Sequence, residues 1–119
     1  MDNIKNLVQT AYDALSEKKA SDITVIDISK ISTIADYFII TNGENSSQVQ
    51  ALVDNTTEKL ARAGYHPRST EGYRAANWVL LDYGDVVINI FSREDRRFYD
   101  LERIWRDGSI TDEFSEHDN

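Results

Sequence analysis

The chain has 119 residues, 29% charged and 40% apolar, with 13 Lys and Arg against 21 Asp and Glu and a formal charge of −8. That length predicts one domain, able to bury roughly two-thirds of its unfolded surface. The absence of cysteine excludes disulfides, thiolate metal sites and a thiol nucleophile, and no apolar run approaches the roughly 18 residues of a membrane span.

The N-terminal MDNIKNLVQT carries neither a signal-peptide core nor the Arg/Ser-rich composition of a transit peptide, so the cytoplasm is the expected location. Residues 2 to 19 predict an amphipathic helix, because Ile4, Leu7, Val8, Ala11, Ala14 and Leu15 recur at helical spacing. A β-branched run from Ile23 to Ile28 predicts a strand. A polar break with Ser32 and Thr33 follows, and then Tyr37–Thr41, apolar enough for a strand covered on both faces. Asn42-Gly43 predicts the end of that strand, and Asn45 or Ser46 the cap of a second helix. The inward stripe of that helix is Val49, Leu52, Val53, Thr56, Leu60 and Ala63, with Gly64 as its stop. Residues 65 to 71 leave room for a short edge strand beside Pro67. Trp78–Leu81 and Val86–Phe91, separated by residues that include Gly84, predict a hairpin. Glu94–Trp105 predicts a last helix, with Phe98, Leu101 and Trp105 facing one way.

The order α-β-β-α-β-β-β-α predicts an α/β (α+β) domain, a mixed sheet flanked by helices. Residues 1–106 form the expected single domain. Residues 107–119 hold five acids and no Lys or Arg, and predict a flexible acidic tail. Without that tail the charge is still −3. Broad attachment to nucleic-acid phosphate is therefore disfavoured, because it needs clustered Lys and Arg. A basic protein surface is the easier partner.

The stretch WVLLDYGDVVINIF (Trp78–Phe91) holds the main chemical candidates, Asp82 and Asp85. Two carboxylates divide acid and base roles only where their surroundings differ, and a divalent cation needs further oxygen ligands. No histidine is near in sequence, and an aspartate beside glycine at a hairpin corner is what turn geometry favours alone. The turn is the preferred reading, with no catalytic residue and no metal. The loop NGENSSQ (42–48) is a turn plus a helix cap; it lacks a P-loop pattern, although a phosphate at the helix N-terminus remains open. His66 and His117 have neither a serine–acid constellation nor metal-ligand spacing.

Aromatics are denser here than elsewhere, with seven of the chain's twelve between Tyr73 and Trp105. Phe91, Phe98 and Trp105 are assigned to the core. Trp78 and Tyr83 end one short strand, next to Asn77, Asp82 and Gly84. Exposed Trp and Tyr beside acids compose protein-binding hot spots. For Trp78, core and interface are both open.

DITVIDIS, DYFIITNG, SSQVQA, EGYRAANWVLLDYGDVVINIF and RRFYDLERIW occur in this order, and together they resemble the ribosomal silencing factor family (RsfS, or Iojap-like) over residues 4 to 106. The resemblance implies a nucleotidyltransferase-like fold without the catalytic motif, with no enzymatic activity and no cofactor. It implies binding to the large ribosomal subunit through its ribosomal protein number fourteen, which blocks joining of the small subunit and lowers translation when nutrients are scarce. It also implies a homodimer when free, a part in large-subunit maturation for some members, and partner contacts at Trp78, Asp82, Tyr83 and Asp85. The chain departs from the family pattern at Asn42 (usually Thr), Ser47 (often Arg) and Asn89 (commonly His). A phosphate-handling enzyme using Gly43, Ser46, Asp82 and Asp85, and an adaptor for another basic protein, are the alternatives.

Overall fold

A computed structural model describes residues 3–93 and the backbone of Ser109–Ile110. Its elements are α1 (Asn3–Glu17), β1 (Ser21–Asp27), β2 (Tyr37–Gly43), α2 (Ser46–Arg62), β3 (Ser69–Glu71), β4 (Trp78–Asp82), β5 (Val86–Ser92) and β6 (Ser109–Ile110). The predicted Glu94–Trp105 helix lies outside the described residues.

The described strands make one sheet in the order β3-β4-β5-β2-β1-β6. β2 and β5 run parallel, from Tyr37↔Val86 to Gly43↔Ser92, and the other pairs are antiparallel. The parallel pair sits at the centre, and both of its strands are apolar almost throughout. A central strand is covered on both faces, and even the polar residues Thr41, Asn42 and Asn89 of this pair are buried.

The helices share one face. Leu7, Val8, Ala11 and Leu15 of α1 and Val49, Leu52, Val53 and Leu60 of α2 meet Val25, Ile39, Val79, Leu81, Ile88 and Ile90 of the sheet. Each fully buried Leu or Ile contributes about 1.5–3 kcal/mol, so this cluster dominates the stability of the fold. On the other face Ile26, Ile28, Ala35, Ile40 and Phe91 are buried, with Phe38, Trp78 and Val87 partly buried against them.

Four expectations change. Asn42 and Gly43 extend β2 instead of ending it, because both pair with β5. Gly43 serves close packing: a Cβ there would lie 3.2 Å from Val49 N and 3.3 Å from Leu52 Cδ1 of α2. Ala63 is the exposed C-cap of α2 and not part of its inward stripe. The helix stops at Gly64, whose φ of +96° suits glycine. Ile28 lies just past β1, where its N–H donates to Asp36 O (2.8 Å). Finally, Ser109 and Ile110, expected in a mobile tail, pair with Asp27 and Ile26 of β1. A strand edge carries unpaired N–H and C=O groups, and even a two-residue segment satisfies some of them.

Candidate functional site

The β4–β5 hairpin holds both aspartates at its corner. Tyr83 N–H donates to Val86 O (2.9 Å), and Gly84 N–H donates to the Asp82 Oδ1 (2.8 Å). Gly84 has φ +87°, a conformation the turn requires and a side chain would resist. Asp82 therefore braces the corner. Asp85 is exposed, and its carbonyl accepts the N–H groups of Asp36 (2.7 Å) and Tyr37 (3.1 Å). This links the hairpin corner to the start of β2. Among the described residues no group of three or more His, Cys, Asp or Glu could hold a metal ion.

Side-chain parity separates the aromatics. Strand residues alternate between faces, so Val79, Leu81 and then Tyr83 fall on the helix-covered face. Tyr83 is only 9% exposed and belongs to the main core. The expectation of an exposed contact at Tyr83 is thus corrected: the chain continues the alternation into the turn. Its hydroxyl is buried without a hydrogen-bond partner, and burial pushes its pKa up to about 12.

Trp78, Leu80 and Asp82 fall on the opposite face, all half-buried. Trp78 is held firmly. Its ring stacks on Phe91 with centroids 5.0 Å apart and 28° between planes, and its Nε1 donates to the Asn89 Oδ1 (3.0 Å). The loop leading into it is anchored to α2. Gln50 Nε2 donates to Tyr73 O (3.0 Å), and the Tyr73 hydroxyl donates to Asp54 (2.9 Å), which raises the phenol's pKa. Ser92 N–H closes the loop's end by donating to Asn77 O (2.8 Å). Trp78 is therefore partly buried against the second core cluster and partly exposed.

The structure thus places Trp78 and Asp82 on one face, about 13 Å apart along β4, with Asp85 at the corner beside Asp82 and Tyr83 beneath. Leu80, Val87 and Phe38, also half-buried, join Trp78 in an apolar strip edged by acid. Sequence reading missed Leu80, although its parity with Trp78 was visible. It also missed Ile31 (46% exposed) and Ile34 (79% exposed) in the loop after β1, where they flank the polar Ser32 and Thr33.

The 42–48 loop offers little to a phosphate. Asn45 Oδ1 accepts from Gln48 N–H (2.9 Å), and the Gln48 Oε1 accepts from Glu44 N–H (2.6 Å). Two amide donors that an anion would use are already engaged. No helix among the described residues is long and apolar enough to cross a membrane.

The family model described as "Ribosomal silencing factor during starvation" matches residues 1–119. The chain belongs to the ribosomal silencing factor family. It is 37% identical over 110 residues to the ribosomal silencing factor RsfS of Bacillus subtilis, covering 92% of this chain and 93% of that one. The crystal structure of protein CV0518 from Chromobacterium violaceum is similar, with 34% identity and a TM-score of 0.85 over 89% of this chain and 88% of that one. A more distant relative is the mouse "Mitochondrial assembly of ribosomal large subunit protein 1". It is 30% identical over 105 residues, which are 86% of this chain and 46% of that protein. The RsfS-family fold is thus the frame that carries the Trp78 face.

Proposed function

We propose that this chain silences ribosomes by binding the large subunit through its ribosomal protein number fourteen and standing where the small subunit must dock. Membership of the family supports the silencing role, and the mouse relative's name associates that protein with the large subunit. The observation that carries the docking site is the half-buried Trp78, fixed by Phe91 and Asn89 on an apolar, acid-edged sheet face. A rigidly held, partly exposed aromatic is the usual form of an interface anchor.

The mechanism is steric and needs no turnover. A standard contact covers about 800 Å² per partner, within reach of the β4–β5 face. Trp78 and Leu80 anchor it. Asp82 and Asp85 face basic side chains of the ribosomal protein, and Tyr83 supports the turn from the core. The protein acts in the cytoplasm and is a homodimer when free.

Purified chain mixed with isolated large subunits, small subunits and joined ribosomes, then sedimented, tests this reading. The chain is expected with free large subunits and absent from joined ribosomes, and an excess of it lowers subunit joining. Trp78→Ala weakens the association by about 2 kcal/mol or more. Equal joining with and without the protein overturns the proposal.

A further inference from the structure

Resting on the reading just given, we infer that the 29–36 loop is a second anchor on the same partner. It presents Ile34, with Ile31 beside it, to an apolar socket rimmed by Lys and Arg on a protein of the large subunit. Ile34 is the most exposed large hydrophobic side chain among the described residues, and Ile31 is the next.

A lone surface isoleucine is ordinary; this pair is distinguished by the frame that holds it. Ile34 N–H donates to Ser32 Oγ (3.0 Å), and Ser29 donates to Asp27 Oδ1 through both its N–H (2.9 Å) and its hydroxyl (2.6 Å). Ile31 N–H and Ser32 N–H both donate to Ile28 O, at 3.0 and 2.9 Å. The loop closes where Ile28 N–H meets Asp36 O and Asp36 N–H meets Asp85 O. An apolar tip already fixed in place loses little freedom on docking, so its burial goes largely into affinity.

The loop is joined to the proposed docking face through Asp85. Ile34 lies two residues before Asp36, so at most about 7 Å separates their Cα atoms. A patch of standard size is about 30 Å across, which accommodates Trp78 and Ile34 together.

Charge selects the occupant. Asp36 and Asp85 stand at the foot of the loop. Lys30 is the one cation of the loop and is outnumbered by Asp27, Asp36 and Asp85 around it, and the Arg68 guanidinium lies against Gly84. A second copy of the chain docked here would set these acids against their own equivalents. Nucleic acid would bring phosphate, and nothing complementary to isoleucine. A basic protein surface with an apolar hollow meets both demands.

Affinity for isolated large subunits, measured for wild type, Ile34→Ser, Ile31→Ser/Ile34→Ser and Trp78→Ala, tests the inference. Far-ultraviolet circular dichroism and melting verify that the loop variants fold, as both side chains are exposed. Ile34→Ser is expected to bind about tenfold more weakly or worse, and the double variant weaker still. Unchanged binding by the loop variants alongside weakened Trp78→Ala overturns the second anchor and leaves the proposed function standing. Wild type that fails to bind large subunits overturns both. Loop variants that convert a free dimer to monomer yet bind subunits normally overturn the inference in favour of self-association.

Discussion

The indole Nε1 of Trp78 donates to the Oδ1 of Asn89 at 3.0 Å, while the Nδ2 of the same amide is buried without a partner. One side chain thus both orients the proposed anchor and carries an unpaired polar group. The two effects oppose. A hydrogen bond of this kind contributes about 1 kcal/mol net, whereas a buried unsatisfied N–H costs about 1–3 kcal/mol. Asn89→Val relieves the buried N–H but removes the acceptor of the half-buried indole N–H, so stability in urea titrations is expected to stay within about 1 kcal/mol of wild type. It should weaken large-subunit binding, because the indole loses its guide. A variant that loses stability but binds normally would contradict this division of roles.

Gly72 has φ +85°, and a Cβ there would collide with the Trp78 carbonyl oxygen. The bend lets the chain return beside β4 before entering it. Gly72→Ala meets a strained backbone and a blocked approach together, so a loss of about 2–3 kcal/mol is expected by chemical denaturation. Gly64→Ala is the comparison: it shares a positive φ, but nothing lies within 4 Å of its added Cβ. It should cost clearly less.

Tyr83 links stability to alkaline pH. Its folded pKa is about 12, against about 10 in an unfolded chain. The neutral phenol is the form the core accepts, so this contribution is complete below pH 10 and is lost as pH rises from about 10 through 12. Tyr83→Phe is expected to flatten that decline. Below pH 10 it should leave stability unchanged or raise it by about 1 kcal/mol, since it removes a buried unpaired hydroxyl. Thermal melts between pH 8 and 11 decide this.

Asp85 is exposed at the hairpin corner, and only its backbone carbonyl serves the fold. If its carboxylate steers the protein toward a basic partner, association with large subunits slows as salt rises past about 0.1 M, where the screening length is near 10 Å. Asp85→Asn should reduce the slope and leave the melting temperature within about a degree or two. A salt-independent association rate removes the steering role.

Much was legible from the chain alone because it is local. The α1 stripe from Leu7 to Leu15, the apolar run of β2, a helix cap at Asn45 or Ser46 and the Asp82–Gly84 corner each follow from periodicity or from one residue's preferred conformation, and the structure selects Asn45 as the cap. The sheet face bearing Trp78 was legible in part, through a resemblance carried by motifs and not by energetics.

The sequence by itself determined the elements from α1 to the β4–β5 hairpin, the negative net charge and the candidate tryptophan. Only the tertiary structure decided that Tyr83 faces the core, that Gly43 stays within a strand, that Ser109–Ile110 pairs with the β1 edge, and that Ile34 stands exposed in the loop that Asp36 joins to Asp85. Each of these depends on groups distant in the chain. Which face the helices cover, and which edge lacks a partner, is settled by packing and register between elements, and neither is encoded in a short stretch of residues.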